Sequence, residues 1–263
     1  MKLIVTDLDG TLLTNDKKIT DYTRESLKNF YNQGIEIVIA TGRGYFSTKD
    51  IKNTIGIPMF MICNNGANIY DKNEKIIHST KISKEIVKEL VKDFEKFKVD
   101  YRIFYGINYY YPKYGVVDIK RSEYKGSVIQ DINDCEDSEK ILVVESNREL
   151  FEKFKDYAVK KYGDILEVVA SSHDCLDFNA KGCNKKEGLV KVLEHYNISS
   201  DDIIAFGDSE NDYKMLKYVG HGVGMKDSHI SKTDIKNETE FTNNFDGVVK
   251  YLESRIKGKN ERY

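Results

Sequence analysis

The sequence predicts an α/β protein in which a doubly wound, mainly parallel sheet is interrupted by an inserted α+β domain. Three observations carry that expectation. Short β-branched runs alternate with helical periodicity up to residue 80, a group of strands with helices set apart fills the middle, and the first pattern returns after residue 181. Alternating strand and helix builds a parallel sheet, whereas grouped strands form a separate α+β layer.

Residues 2–6 are a short β-branched run, and 20–32 carry Tyr22, Leu27, Phe30 and Tyr31 at helical spacing before Gly34. Residues 35–40 are apolar except for Glu36, as a strand buried on both faces requires. A helix over 46–54, a strand over 59–63 and a hairpin of 67–70 and 75–78 turning on 71–73 complete the first half. Residues 83–97 then place Ile86, Val87, Leu90, Val91, Phe94 and Phe97 on one stripe of a helix. Strands follow at 99–105, 108–111, 141–146, 166–171 and 176–179, with a second helix over 148–162. After Lys181-Gly182 come a helix over 185–196, a strand at 202–206, a helix from Asn211, short strands near 219–221 and 238–242, and a closing helix over 247–256. The expected organisation is a core of residues 1–80 and 182–263 with residues 81–181 inserted, both of ordinary domain size.

Composition narrows the function. With 41 Lys+Arg against 43 Asp+Glu the net charge is −2, which argues against a nucleic-acid partner, since phosphate contacts need a basic surplus. No apolar run approaches the ~20 residues of a membrane span. Asp7 and Asp9 interrupt the N-terminal apolar stretch before a signal-peptide core forms, so a cytoplasmic protein without a membrane partner is expected. Cys63, Cys135, Cys175 and Cys183 show no C-x-x-C spacing and read as reduced, mostly packed thiols.

Candidate chemistry begins at Asp7-Leu8-Asp9-Gly10-Thr11, directly after the first strand. Open α/β sheets bind their ligands at the carboxyl ends of their strands. Residues two apart in an extended chain point to one side, so Asp7 and Asp9 project there together. Two carboxylates that close stay ionised beside a cation, or one of them is held protonated. An Asp-Gly turn at a strand end is the alternative without chemistry, and the pentapeptide favours the functional reading over it. Gly207-Asp208-Ser209-Glu210-Asn211-Asp212 follows another buried strand; alone it also fits an ordinary capped turn, but its carboxylates reach the same crevice if the two strands are parallel neighbours. Thr41-Gly42-Arg43 ends the second strand with a hydroxyl and free backbone N–H groups suited to phosphate oxygens, and Lys185 opens a helix where an ammonium neutralises anions. Taken singly, these are an unremarkable loop and a solvated lysine.

In this order, Asp7-x-Asp9-Gly10-Thr11, Thr41-Gly42-Arg43, Lys185 and Gly207-Asp208-x-x-Asn211-Asp212 resemble the four motifs of the haloacid dehalogenase (HAD) superfamily. More narrowly the chain resembles the Cof-type phosphatases, which carry an α/β cap of type IIB between the second and third motifs. Asn64-Asn65-Gly66-Ala67, Lys181-Gly182-Cys183-Asn184-Lys185 and Asp246-Gly247-Val248 also look like that subfamily. The resemblance implies a Rossmann-like core and a Mg²⁺-dependent phosphatase of small phosphomonoesters, sugar phosphates or phosphorylated cofactors. It implies that Asp7 attacks phosphorus to form an aspartyl-phosphate and that Asp9 serves as acid and then base. Mg²⁺ would be held by Asp7, the Asp9 carbonyl and Asp208, with Asp212 as a nearby ligand or support. Leu8, Thr41, Gly42, Lys185 and Asn211 would hold the phosphoryl oxygens. Lys186 follows Lys185 where relatives often carry a small residue, and we assign the motif's role to Lys185. A phosphomutase or phosphotransferase of the same superfamily, or a non-catalytic regulator that binds sugar phosphates, fits the same motifs. In the cap, Tyr101, Phe104, Tyr105, Tyr109, Tyr110, Tyr111 and Tyr114 can stack on a sugar or flat ring, although cross-strand packing is expected for most of them. His173 and Asp174 are further candidates to face the crevice, with a solvated turn as the alternative.

Overall fold

The structure is a computed structural model and describes residues 1–115, 124–228, 230 and 234–260. Strand β1 (Leu3–Thr6) leads through α1 (Asp21–Asn32) to β2 (Glu36–Ala40), then through α2 (Tyr45–Ile55) to β3 (Phe60–Cys63), β4 (Asn68–Tyr70) and β5 (Ile76–Ser79). The inserted layer comprises α3 (Lys84–Phe97), β6 (Asp100–Tyr105), β7 (Asn108–Tyr111), β8 (Lys125–Val128), β9 (Lys140–Val144), α4 (Arg148–Tyr162), β10 (Leu166–Ala170) and β11 (Cys175–Ala180). The chain returns through α5 (Lys185–Leu193), β12 (Ile203–Gly207), α6 (Tyr213–Tyr218), β13 (His221–Gly224), β14 (Asn237–Glu238) and α7 (Gly247–Asn260).

Two sheets result. The first runs β14-β13-β12-β1-β2-β3-β4-β5 and is parallel from β14 to β3, with β4 and β5 antiparallel. The second runs β10-β11-β9-β6-β7-β8 and is antiparallel except where β8 joins β7. Period-two alternation explains the double winding. Ile4, Ile37, Ile39, Ile204 and Phe206 face one helical layer with Leu27 and Phe30 of α1, Ile55 of α2 and Val249 and Leu252 of α7. Their neighbours Leu3, Val5, Val38, Ala40, Ile203 and Ala205 face the other layer, with Leu189 and Val192 of α5 and Met215 and Leu216 of α6. Since β1 lies between β2 and β12, the chain leaves it in opposite directions for its two halves, which opens a crevice at the carboxyl ends of these strands.

The inserted sheet also has two faces. Ile141, Val143, Leu176 and Phe178 pack with Leu90 and Phe94 of α3 and Phe151 and Phe154 of α4. Their alternates Lys140, Leu142, Cys175 and Asp177 line a cavity of about 310 Å³ shared with Asp7, Asp9, Thr41 and Gly42 of the parallel sheet. This mixed face of the second sheet therefore lies over the crevice of the first.

Several elements differ from the sequence expectation, each for a local reason. The helix expected from Asn211 starts at Tyr213, because Glu210–Asp212 form a 3₁₀ turn in which the Asp212 carboxylate accepts the backbone N–H groups of Asp208 and Ser209 (3.1 and 3.2 Å). The strand expected near 219–221 is His221–Gly224, since Val219 still donates to Met215 of α6 and Gly220 packs on the backbone of Asp201. Two glycines in that strand lower its apparent β propensity, yet a side chain at Gly222 would overlap the Leu216 carbonyl. Strand β14 is only Asn237–Glu238, and α7 runs past residue 256 to Asn260. Strand β8 lacks apolar alternation and has no signal in its sequence, Lys-Gly-Ser-Val. All four cysteines are free, three of them buried, and no helix among the described residues is long and apolar enough to cross a membrane.

Candidate active site

Strand β1 ends in Asp7, whose N–H donates to the Phe206 carbonyl of β12 (3.1 Å), so the two motif-bearing strand ends are locked in register. Asp7 is 5% exposed. Its Oδ1 accepts from the Lys185 ammonium (2.8 Å), which also pairs with Asp212 Oδ1 (2.7 Å). Lys185 reaches this position because Asn184 caps α5, accepting the Glu187 N–H (3.0 Å), while the bare Cα of Gly66 lets the Asn184 carbonyl approach. Burial pushes the Asp7 carboxyl well above the usual carboxylate range, the Lys185 charge opposing and the charges of Asp212 and Asp208 adding to it. Burial alone would lower the Lys185 ammonium, but Asp212 and Asp7 overcome this and hold it raised. Asp208 accepts from Thr11 Oγ1 (3.1 Å) and Ser209 Oγ (2.9 Å); burial and then the Asp212 charge push it from 3.8 up to about 6.

Asp7, Asp208 and Asp212 each offer an oxygen within 4.8 Å of the others. Three carboxylates and one ammonium leave two negative charges, which one divalent cation balances. Burial first and then the neighbouring carboxylates raise the proton affinity of Asp7 and Asp208. An all-oxygen donor set suits a hard cation. The residues therefore fit a metal site.

Gly10 makes this packing possible. Its φ of +77° is a left-handed conformation, and a Cβ there would overlap the Asp208 carboxylate. Gly10→Ala is expected to destabilise the protein by about 1–3 kcal/mol. Thermal denaturation checks this; a wild-type value would contradict the packing described.

Asp9 stands apart from the acid cluster. Arg43 donates to both its oxygens (Nε and Nη2, each 2.6 Å), and Lys17 pairs with Oδ1 (2.8 Å). Burial would raise this carboxyl, but the hydrogen bonds and charge of Arg43, followed by those of Lys17, hold it well below the usual range. Thr41 is 1% exposed, and its Oγ1 accepts the Arg43 N–H (3.1 Å), tightening the loop after β2. Asn64 and Asn65 adopt left-handed backbone (φ 49° and 54°) and tie the loop after β3 to the loop after β2, donating from their N–H groups to Arg43 and Thr41 carbonyls (2.8 and 3.0 Å).

The structure brings Asp7, Asp9, Thr41, Gly42 and Asn211 to one cavity wall, with Lys185, Asp208 and Asp212 joined to Asp7. Leu8 sits between them, but its side chain is wholly buried in the core, so only its backbone is available to a ligand. Asn211 donates to Asn65 Oδ1 (3.1 Å). Of the aromatics, Tyr101 and Tyr109 are buried, Tyr105 and Tyr110 pack on the inserted core, Tyr114 is 45% exposed, and Phe104 lines the cavity. His173 is exposed and Asp174 accepts from Ser172 (2.6 Å). Sequence reasoning missed the Arg43 and Lys17 hold on Asp9, together with Lys140, Asp177 and Tyr124 on the cavity wall. Lys140 and Asp177 had a signal: polar residues alternating with core residues in strands that are buried on both faces.

An α/β sheet whose strand ends gather three carboxylates and a buried lysine beside a cavity defines a class of proteins built to handle a cation and an anionic ligand there. A family model described as haloacid dehalogenase-like hydrolase matches residues 4–252. A putative phosphatase of Buchnera aphidicola subsp. Baizongia pistaciae is 32% identical over 267 residues, spanning 95% of this chain and 96% of its own. The 5-amino-6-(5-phospho-D-ribitylamino)uracil phosphatase YcsE of Bacillus subtilis is 28% identical over 252 residues, 96% of this chain and 94% of its own. Among solved structures, a haloacid dehalogenase-like hydrolase from B. subtilis aligns with a TM-score of 0.85 at 26% identity, over 96% of this chain and 99% of that one. The chain belongs to the haloacid dehalogenase-like hydrolases, in their Cof-type branch, and is a phosphatase.

Proposed function

We propose that the protein is a Mg²⁺-dependent phosphatase of small phosphomonoesters, sugar phosphates or phosphorylated cofactors, working through an aspartyl-phosphate on Asp7. The observation that carries this reading is the position of Asp7, which faces the cavity and also joins Lys185 and the acid cluster. The ribitylaminouracil phosphate named for one relative belongs to the same size class. Residues 81–181 act as the cap over the leaving group and residues 1–80 and 182–263 as the catalytic core. The free thiols accord with a cytoplasmic protein.

In this mechanism an Asp7 oxygen bonds to phosphorus as the ester P–O bond breaks, and Asp9 gives its proton to the departing oxygen. Arg43 and Lys17 hold Asp9 ionised in the absence of substrate. A phosphate dianion draws both cations toward itself and raises the proton affinity of Asp9, arming it as an acid. Asp9, ionised again, then takes a proton from the water that attacks phosphorus and releases Asp7. Thr41, the Gly42 and Leu8 N–H groups, Lys185 and Asn211 hold the phosphoryl oxygens through both steps. Mg²⁺ held by Asp7, Asp208 and the Asp9 carbonyl, with Asp212 in support, would neutralise charge on those oxygens.

Phosphate release from p-nitrophenyl phosphate tests the reading. Chelation is expected to lower the rate by at least about 100-fold, and Mg²⁺ to restore it; equal rates with and without chelator would overturn the metal requirement. Stability supplies a second readout. The Asp208 carboxyl, raised to about 6, favours the folded state while protonated, and that contribution is lost as pH rises through its folded value. Mg²⁺ is therefore expected to raise the Tm by about 5–10 °C near pH 7.5 at a hundredfold excess over its Kd, and by clearly less near pH 5. A rise independent of pH in this range would contradict binding at Asp208.

A further inference from the structure

The Asn64-Asn65-Gly66-Ala67 segment after β3 has no part in the chemistry above, yet Asn65 stands between the inserted sheet and Asn211. Asn65 is 2% exposed. Its Nδ2 donates to Asp177 Oδ2 (2.7 Å) and to Asn179 Oδ1 (3.1 Å), both on β11. Its Oδ1 accepts from Asn211 Nδ2 (3.1 Å).

The direction of each bond in this row follows from groups at its far end that can only accept. Asn179 Nδ2 donates to the carbonyls of Asn64 (2.9 Å) and Glu139 (3.2 Å), which turns Asn179 Oδ1 toward Asn65. The Asp177 carboxylate, paired with the Lys140 ammonium (2.8 Å), also accepts. Both therefore require the NH2 end of Asn65 and leave its oxygen for Asn211. Asn211 must in turn present its own NH2. Rotating that amide by half a turn would set two oxygens against each other at hydrogen-bond distance.

Asn211 has no other hold on its orientation. Its Oδ1 is buried with no hydrogen-bond partner among the described residues. An unpaired buried oxygen is costly, so Asn65 imposes the orientation and the contacts of Asn211 Oδ1 do not. Of the two N–H groups on Asn211 Nδ2, Asn65 takes one, and the other is left for the cavity that Asn211 lines. A phosphoryl oxygen needs that donor, whereas a flipped Asn211 would offer it an acceptor.

We infer that Asn65 is a positioning residue for phosphoryl transfer: anchored by Asn179 and Asp177 of the inserted sheet, it holds the Asn211 amide with an N–H toward the phosphoryl group. This rests on the phosphatase reading, in which Asn211 holds a phosphoryl oxygen. It also gives the inserted sheet a share in building the phosphate site of the core.

The test is a double-mutant cycle on kcat/KM for p-nitrophenyl phosphate with Asn65→Gly, Asn211→Ala and the two combined. Glycine suits the left-handed backbone at position 65 (φ 54°), so N65G deletes the amide without adding strain. N211A is expected to lose about 10–100-fold and N65G about tenfold. In the N211A background N65G is expected to cost less than about twofold, since Asn65 then has nothing to orient. A purely structural role would cost one factor in both backgrounds and overturn the inference, as would N65G or N211A at the wild-type rate; the phosphatase reading survives each of these. Wild-type protein that hydrolyses no phosphate ester would overturn both. Should N65G fail to fold, NMR of the Asn211 side-chain amide in wild type decides, its signals assigned by their absence from N211A. An Nδ2 proton protected from exchange with water supports the hold by Asn65, and exchange as fast as that of an exposed amide overturns it.

Discussion

Asp7→Asn protein is expected to release phosphate from p-nitrophenyl phosphate at least about 10⁴-fold more slowly than wild type, because the bond to phosphorus forms at this oxygen and an amide is not nucleophilic. The substitution keeps the shape of the side chain and can still accept from Lys185, which the carboxylate now does at 2.8 Å. It also removes one member of a crowded acid cluster whose charges add to burial in raising Asp7. The variant is therefore expected to fold, with a Tm within about 5 °C of wild type, so that the lost activity reads on chemistry. Comparable phosphate release by D7N and wild type would remove Asp7 from the reaction.

Lys185→Met is expected to be the most damaging substitution for stability. The ammonium is 1% exposed and pairs with both Asp7 and Asp212, so its removal takes the counter-charge from two buried carboxylates. Breaking a buried pair by deleting one partner typically costs about 3–5 kcal/mol, a Tm fall of about 10 °C for a chain of this size. Turnover falls with it, since Lys185 is also proposed to hold a phosphoryl oxygen. Calorimetry of K185M beside K185M/D212N separates the charge effect from simple loss of packing. Neutralising one of these carboxylates is expected to recover part of the Tm, and a further fall in the double variant would contradict the electrostatic explanation. Lys186, by contrast, pairs with the neighbouring Glu187 on the surface and lies outside this network.

Much of this was legible in the sequence because its strongest signals are local. The apolar runs of β1, β2 and β12 fix strands buried on both faces, and the Asp-x-Asp and Gly-Asp segments fall at their ends. Parallel pairing of β1 with β12 is a condition the sequence leaves open, and it brings Asp7, Asp208 and Asp212 within reach of one another. The misses are tertiary. Arg43 lies inside a recognised motif, but its bidentate grip on Asp9 depends on the loops after β1 and β2 converging across 34 residues of sequence. Lys140 and Asp177 lie 37 positions apart on strands whose apolar alternates dominate the pattern, and their polar face acquires meaning only when the inserted sheet covers the crevice. The late start of α6 was hidden because the Asp212 side chain captures backbone groups that a regular helix would leave to its cap. Gly222 in β13 answers the close approach of the Leu216 backbone, which composition alone reads as loop.

The central claim is a covalent phosphoryl bond to Asp7, and chemical trapping reaches it directly. Borohydride reduces a β-aspartyl phosphate to homoserine and leaves an ordinary aspartate untouched. Wild-type protein turning over p-nitrophenyl phosphate, quenched with borohydride and mapped by peptide mass spectrometry, is predicted to carry homoserine at position 7. An unmodified Asp7 in protein that was hydrolysing substrate at the moment of quenching, or homoserine at another aspartate, would contradict it.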